Sequence, residues 1–311
     1  MTKRRVYGIP PEFVGERLDL VLSKVTGLSR SNAQALIEAG NVWIDGVAVT
    51  KASRKVASGE ILEAQLERTG AVLMPQPTPV PGMAVIYEDS DLIVVDKPAG
   101  IAAHPSLNFE GPDVLGALMA ANRRLSEYGP PERKGIVHRL DVGTSGCMVV
   151  AKSERAYIGL KRAFRDRTVT KIYHALVQGH PDLLSGTIEA PIVRDHRKQW
   201  KMAVGEGGKY AVTHYDTLEA MPGATLVSVH LETGRTHQIR VHMAAIHHPC
   251  VGDDMYGADS ALSARLGLDR QWLHAVTLGF EHPCSGEYVE FHSAYPQDLQ
   301  QALDQLRAGV L

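Results

Sequence analysis

The chain has 311 residues, 44% hydrophobic and 22% charged, with a formal net charge of -2. That length suits about two domains, the composition excludes a disordered chain, and the near-neutral charge excludes a protein that coats nucleic acid by charge alone. Cys147, Cys250 and Cys284 are too far apart for a disulfide framework or a zinc knuckle, so a reducing cytoplasm is expected. The basic start Met1 to Arg5 runs into Pro10-Pro11, unlike a secretory signal. No apolar run reaches the roughly 18 residues of a membrane span, so a soluble monomer is expected.

In chain order, Leu18, Val21, Leu22 and Val25 recur at helical spacing and Gly27 ends that helix. Ser29 is the expected N-cap of a second helix carrying Ala33, Leu36 and Ile37, closed by Gly40. Val42 and Ile44 then approach Asp45-Gly46, and Val47 and Val49 leave it, which is a strong hairpin signal. This small α/β unit, over 15–72, is mildly basic: residues 1–60 hold nine Lys and Arg against six Asp and Glu. Arg17-Leu18-Asp19, Ser29-Arg30 and Gly40-Asn41-Val42-Trp43-Ile44-Asp45-Gly46 resemble the S-four-type RNA-binding domain. The resemblance implies that Arg17, Arg30 and Lys51 face RNA; charge alone fits a solvated basic face equally well.

Alternate prolines over Met74 to Gly82 favour an extended, semi-rigid spacer, so 73–82 reads as the linker. The larger domain, 83–311, has no regular βαβ rhythm and is expected to be α+β, with a mixed, mainly antiparallel sheet and flanking helices. Leu92 to Asp96 is a strand that breaks at Lys97-Pro98-Ala99-Gly100, and Cys147 to Ala151 is a second buried strand. Ser153 caps a helix to about Arg167, Val169 to Gln178 is a strand, and Thr225 to Leu231 alternates with Val227, Val229 and Leu231 inward. Arg235 to about His247 reads as a helix with Ile239, Met243 and Ile246 on one face.

The run Gly135-Ile136-Val137-His138-Arg139-Leu140-Asp141-Val142-Gly143-Thr144-Ser145-Gly146 sets an aspartate between a strand-like stretch and a glycine-rich turn. Rigid backbone at an edge suits a nucleophile or general base. His138-Arg139-Leu140-Asp141-x-x-Thr144-Ser145-Gly146 with Ala151-Lys152 resembles the signature of the pseudouridine synthase family that modifies large-subunit ribosomal RNA and some transfer RNA. Asp96-Lys97-Pro98-Ala99-Gly100, Lys171-Ile172-Tyr173 and Gly234-Arg235-Thr236-His237-Gln238-Ile239-Arg240-Val241-His242 follow in the family's order. Ala190-Pro191-Ile192, Lys201-Met202-Ala203-Val204 and Ala211-Val212-Thr213-His214-Tyr215 resemble members that act on the large subunit.

The resemblance implies an isomerase with RNA as its partner and no cofactor, because the reaction only detaches uracil from ribose, turns it and rejoins it through carbon. It assigns the carboxylate to Asp141, acting as nucleophile or as base toward the ribose 2′-proton. Arg240 is its expected counter-charge, Arg139 the wedge for the place vacated by the flipped base, and Tyr173 the stacking face, with a hydroxyl also available for the late proton transfer. If 139–141 is extended, Arg139 and Asp141 share a face.

Taken singly, Asp141 is a turn former, Tyr173 a core residue, and Arg139 and Arg240 surface or ion-pair residues. His237, His242, His247 and His248 lack the spacing of a zinc site, so no metal is expected. No glycine pair forms a phosphate-cradling loop. Asp195 to Lys198 with Trp200 and Lys201 suits either RNA contact or a solvated loop. The alternatives are a non-catalytic RNA-binding ribosome-assembly factor, which has no chemical need of Asp141, Tyr173 and Arg240, and a glycosidase-like hydrolase, for which a second carboxylate is missing from these motifs.

Overall fold

The structure, a computed structural model, describes residues 4–26, 28, 30–65, 74–106, 109–195, 198 and 200–309. The stop at Gly27, the cap at Ser29, and His196 and Arg197 of the basic stretch lie outside these residues. The chain divides into two compact units, Met1–Val72 and Leu73–Leu311.

In the small unit, β1 (Arg5–Gly8), α1 (Leu18–Thr26), α2 (Arg30–Glu38), β2 (Val42–Ile44), β3 (Val47–Ala48) and β4 (Ile61–Ala64) follow in order. The strands form an antiparallel sheet in the order β1-β4-β2-β3. Ile44 pairs with Val47 across Asp45 and Gly46, whose φ values of 50° and 77° give the left-handed pair that a tight hairpin turn requires. Leu18, Val21 and Leu22 of α1 and Ala33 and Ile37 of α2 are fully buried against Val42, Leu62 and Ala64. Each such leucine contributes roughly 1.5–3 kcal/mol on leaving water. β1 and β4, which complete the sheet, are too short to show a clear alternation in sequence.

The large unit comprises β5 (Ala84–Glu88), β6 (Leu92–Lys97), α3 (Val114–Ala120), β7 (Ser145–Ala151), α4 (Glu154–Asp166), β8 (Thr170–Gln178), β9 (Ser185–Glu189), β10 (Ile192–Arg194), β11 (Met202–Val204), β12 (Val212–Met221), β13 (Ala224–Leu231), α5 (Gln238–Ala245), α6 (Ser260–Arg265), β14 (Leu273–Glu281), β15 (Tyr288–His292) and α7 (Gln297–Arg307). Its main sheet runs β5-β6-β7-β14-β8-β13-β12-β9, with β15 also on β14. All its pairings are antiparallel except β7 with β14. The α+β class with a mainly antiparallel sheet is as expected.

β6 and β7 read as unbroken apolar runs because both of their faces are covered. Ile93, Val95, Met148 and Val150 pack with Val114, Leu115 and Leu118 of α3, whereas Leu92, Val94 and Val149 pack with Ala156 and Leu160 of α4. Ser153 caps α4 by accepting from the Ala156 N–H, and Arg167 ends it at φ 62°. β14 is shared: His274 and Ala275 pair with β7, and from Thr277 onward the same edge takes β15. The sheet therefore splays beside the start of β7.

Three expectations need correction. α5 starts at Gln238, not Arg235, because the Gln238 side chain accepts from the Arg235 N–H and the Thr233 hydroxyl and holds that stretch as a turn. The helix is also buried on more than the predicted stripe, with Gln238, Arg240 and His242 inside. Residues 137–141 form no strand; the chain bridges β7 once, at Ile136 with Val150. The proline-rich segment is irregular, as expected of prolines, but it is packed: the Thr78 N–H donates to the Gly116 carbonyl of α3, and the Gln76 carbonyl lies where any Gly116 side chain would start. No described helix is long and apolar enough to cross a membrane.

Candidate active site

The signature around Asp141 is first a building device. β7 has β6 on one side, and much of its other edge would be open. The 135–138 segment closes it, since the Ala151 N–H donates to the Gly135 carbonyl and the Val149 N–H to His138 Nε2. The imidazole thus replaces a backbone acceptor. Stacked on Phe164, it is held neutral because burial lowers its pKa to about 3.

Beyond Asp141 the loop is tied on every side. The Thr144 N–H donates to the Asp141 carbonyl, closing the turn. The Val142 carbonyl accepts from the Gly100 N–H and from Lys97 Nζ, and the Gly143 carbonyl accepts from Arg270, which Asp298 holds by two bonds of 2.6 and 2.9 Å. Gly146 must be glycine: its φ is 115°, and a Cβ would sit 2.2 Å from the Ala275 carbonyl oxygen. Ser145 Oγ bonds His274 Nδ1 in the buried seam to β14. Lys97, fully buried, also donates to the Pro98 and Ile101 carbonyls at 2.9 Å. Burial pulls its pKa down to about 7, against the charge of Asp141.

Asp141 stands where two cavities meet. A narrow one of about 90 Å³ is lined by Arg139, Asp141, Tyr173, His237 and Arg240. A wider one of about 690 Å³ shares Arg139, Asp141, His237 and Arg240 and adds His104, Phe109 and Trp200. The Asp141 side chain is 16% exposed, so it is reachable but mostly dry. Arg240 Nη1 lies 3.4 Å from its Oδ2 and His237 Nε2 lies 4.0 Å away. Burial lowers the His237 pKa against the pull of Asp141, and its Nδ1 bonds the Tyr256 hydroxyl at 2.8 Å.

The structure therefore brings all four predicted residues of the large unit together, with one change of emphasis. Arg240 is gripped chiefly by Asp253, through bonds of 2.6 and 2.8 Å, and only its third contact reaches Asp141. Burial opposes its charge, but the two Asp253 bonds and the nearby Asp141 hold the pKa above the ordinary arginine value. The ring of Tyr256 lies 4.9 Å from the guanidinium carbon. Tyr173, on β8 between β13 and β14, lines the pocket, and its hydroxyl makes no hydrogen bond among the described residues. Burial, then the charge of Asp141, raises its pKa. Arg139 is exposed and makes no ion pair or hydrogen bond among the described residues.

Asp253, Tyr256, His237 and Lys97 were not singled out in the sequence as site residues. Lys97 and His237 lay within noted motifs; Asp253, which neutralises the buried Arg240, had no signal in the sequence. Of the other noted histidines, His242 bonds Thr213 and the Ala190 carbonyl, His248 bonds the Gln178 carbonyl, and His247 is exposed. Among the described residues, no group of three His, Cys, Asp or Glu is placed to hold a metal.

Two of the small unit's three candidates converge on one carboxylate. Arg17 bonds Asp19 at 3.1 and 2.9 Å and Arg30 bonds it at 3.3 Å, while Asp19 itself is buried. The Arg17 bonds, then Arg30 against the cost of burial, lower the Asp19 pKa to about 2. Lys51 is exposed.

Comparison with known proteins gives the family. The sequence profile for RNA pseudouridylate synthase matches residues 91–245, and that for the S4 domain matches 16–62. An uncharacterized RNA pseudouridine synthase of Mycobacterium bovis is 57% identical over 303 residues, covering 97% of this chain and 98% of the relative. The chain belongs to the RNA pseudouridine synthase family. Ribosomal large subunit pseudouridine synthase D of Zymomonas mobilis is 41% identical over 298 residues, 93% of each chain. Among solved structures, human RNA pseudouridylate synthase domain containing 1 is 29% identical with a TM-score of 0.57, over 75% of this chain and 98% of that one. The synthase is thus an isomerase that acts on RNA, converting uridine to pseudouridine. Asp141, Tyr173 and Arg240 fall inside the matched span, whereas Asp253 and Tyr256 fall beyond it.

Proposed function

We propose that this synthase isomerises uridines of large-subunit ribosomal RNA, with Asp141 as the catalytic carboxylate and the target base flipped out of its stack. One observation carries the reading: Asp141, Arg139, Tyr173 and Arg240, drawn from a loop, a central strand and a helix, line one pocket. The ribosomal target is taken from the relatives named ribosomal large subunit pseudouridine synthase D, which match 93% of this chain in one case.

In this reading Asp141 attacks the sugar or the base, or takes the ribose 2′-proton, with Arg240 3.4 Å away as its counter-charge. Arg139, unpaired among the described residues, fills the gap left by the flipped base, which costs a few kcal/mol to extrude. Tyr173 stacks on uracil. Burial and the charge of Asp141 raise its pKa, which makes loss of the phenol proton harder still. In the small unit, Arg17 and Arg30, pre-ordered on Asp19, and Lys51 meet RNA phosphates. Domains follow as an RNA-binding unit over 15–72, a junction over 73–82 and a catalytic unit over 83–311.

Mapping pseudouridines in large-subunit RNA from cells with and without the gene tests this. At least one site should vanish on deletion and return with the wild-type gene but not with Asp141→Asn. An unchanged map, or rescue by Asp141→Asn, would overturn it.

A further inference from the structure

Beside the pocket of Asp141 lies a separate cavity of about 430 Å³, which shares Arg139, Tyr173 and Arg235 with it. Its far wall is the end of α4 and the start of β8, with Arg165, Arg167 and Lys171. The only carboxylate among the lining residues is Glu232. Asp166 takes Arg165 in a bond of 2.8 Å, and Glu232 stands 3.8 Å from Arg167 while also bonding His214. Arg139, Arg235 and Lys171 are left without a carboxylate partner among the described residues.

Lys171 is the telling member. It is 8% exposed, yet its ammonium makes no hydrogen bond or ion pair among the described residues. The other deeply buried lysine of this unit, Lys97, donates to three carbonyls. What is buried is its carbon stem; Nζ itself opens onto the cavity, so its donors face a space that a ligand can enter. Burial, then Arg167, lowers the Lys171 pKa to about 8. A ligand that brings acceptor oxygens and negative charge into this cavity would satisfy Lys171 and the cations around it. A phosphodiester does both.

We propose that Lys171, with Arg167 and Arg235 beside it, forms a subsite for one backbone phosphate of the RNA, next to the nucleotide held at Asp141. This rests on the reading of Asp141 as the place where uridine reacts. The subsite would set the register of the strand, so that a phosphate is anchored on one side of Arg139 and the flipped base lies on the other.

The experiment uses the full-length protein and a large-subunit RNA fragment whose uridine the wild type converts. Binding is measured by fluorescence anisotropy across a salt series, with Lys171→Met, Lys171→Arg and Arg167→Gln, and with an uncharged methylphosphonate at each phosphate near the target. Lys171→Met should weaken binding about tenfold and reduce the slope of log affinity against log salt by about 0.7. Lys171→Arg should retain most of the affinity. One methylphosphonate should weaken the wild type and leave Lys171→Met unaffected. Should Lys171→Met fail to fold, the same single phosphate must be the one whose neutralisation no longer matters in Arg167→Gln. Wild-type affinity and salt slope in folded Lys171→Met, or phosphate penalties that persist unchanged in the variants, would overturn the subsite. If the wild type converts no uridine in any fragment, the reading of Asp141 fails instead.

Discussion

The two arginines beside Asp141 are held in opposite ways. Arg240 is 7% exposed and clamped by Asp253, so its position is settled before any substrate arrives. Arg139 is exposed and makes no bond among the described residues. Preorganised charge costs nothing to reorient at the moment of reaction, which suits a group that supports chemistry. Unpaired charge keeps its hydrogen-bonding capacity for the ligand, which suits a group that handles RNA.

Breaking the clamp should have the largest effect. Asp253→Asn leaves a buried guanidinium without its neutralising partner, and thermal unfolding should show a loss of about 3–5 kcal/mol. The folded fraction should also lose turnover, because Arg240 is then free to close onto Asp141. An unchanged melting temperature with full turnover would show that the clamp is dispensable.

Arg139→Ala should leave stability within about 0.5 kcal/mol of wild type, as expected for an exposed residue. Turnover on structured RNA should fall about 10- to 100-fold, and less on an unstructured oligomer whose target is already unstacked. Equal losses on both RNAs would argue against the wedge.

Tyr173 separates stacking from proton transfer. Tyr173→Ala should cost roughly 1–3 kcal/mol of binding to the flipped base, whereas Tyr173→Phe should retain most of the activity. A Phe variant as impaired as Ala would assign the role to the hydroxyl.

The smallest effect concerns the small unit. The folded Asp19 pKa, about 2, is depressed from 3.8, so its stabilisation is present above about pH 4 and is lost as pH falls toward 2. Acid titration of the melting temperature should show this loss, roughly 1–2 kcal/mol after solvent screening, and Asp19→Asn should flatten it.

How much of this was legible follows from which forces are local. The Asp45-Gly46 hairpin and the Ser153 cap depend on residues a few positions apart, and β6 and β7 announce double-sided burial by unbroken apolar runs. Asp141, Tyr173 and Arg240 were found by resemblance to a family motif, not by periodicity. Asp253 was hidden because its partner lies 13 residues away on another element and no local pattern links the two. The stretch 137–141 looked like a strand but is not one, because the His138 side chain supplies an acceptor that a strand's backbone would otherwise give. β14 has two partners on one edge, a consequence of the splayed sheet that no single run of residues encodes.

The most direct test of the central proposal, that Asp141 carries the chemistry, is single-turnover tritium release from RNA labelled at uridine C5, with binding measured on the same samples. Asp141→Asn should bind that RNA with near wild-type affinity and release tritium at least about 10³-fold more slowly, as expected when a group that acts in the transition state is removed. Release at the wild-type rate would contradict the assignment of the chemistry to Asp141.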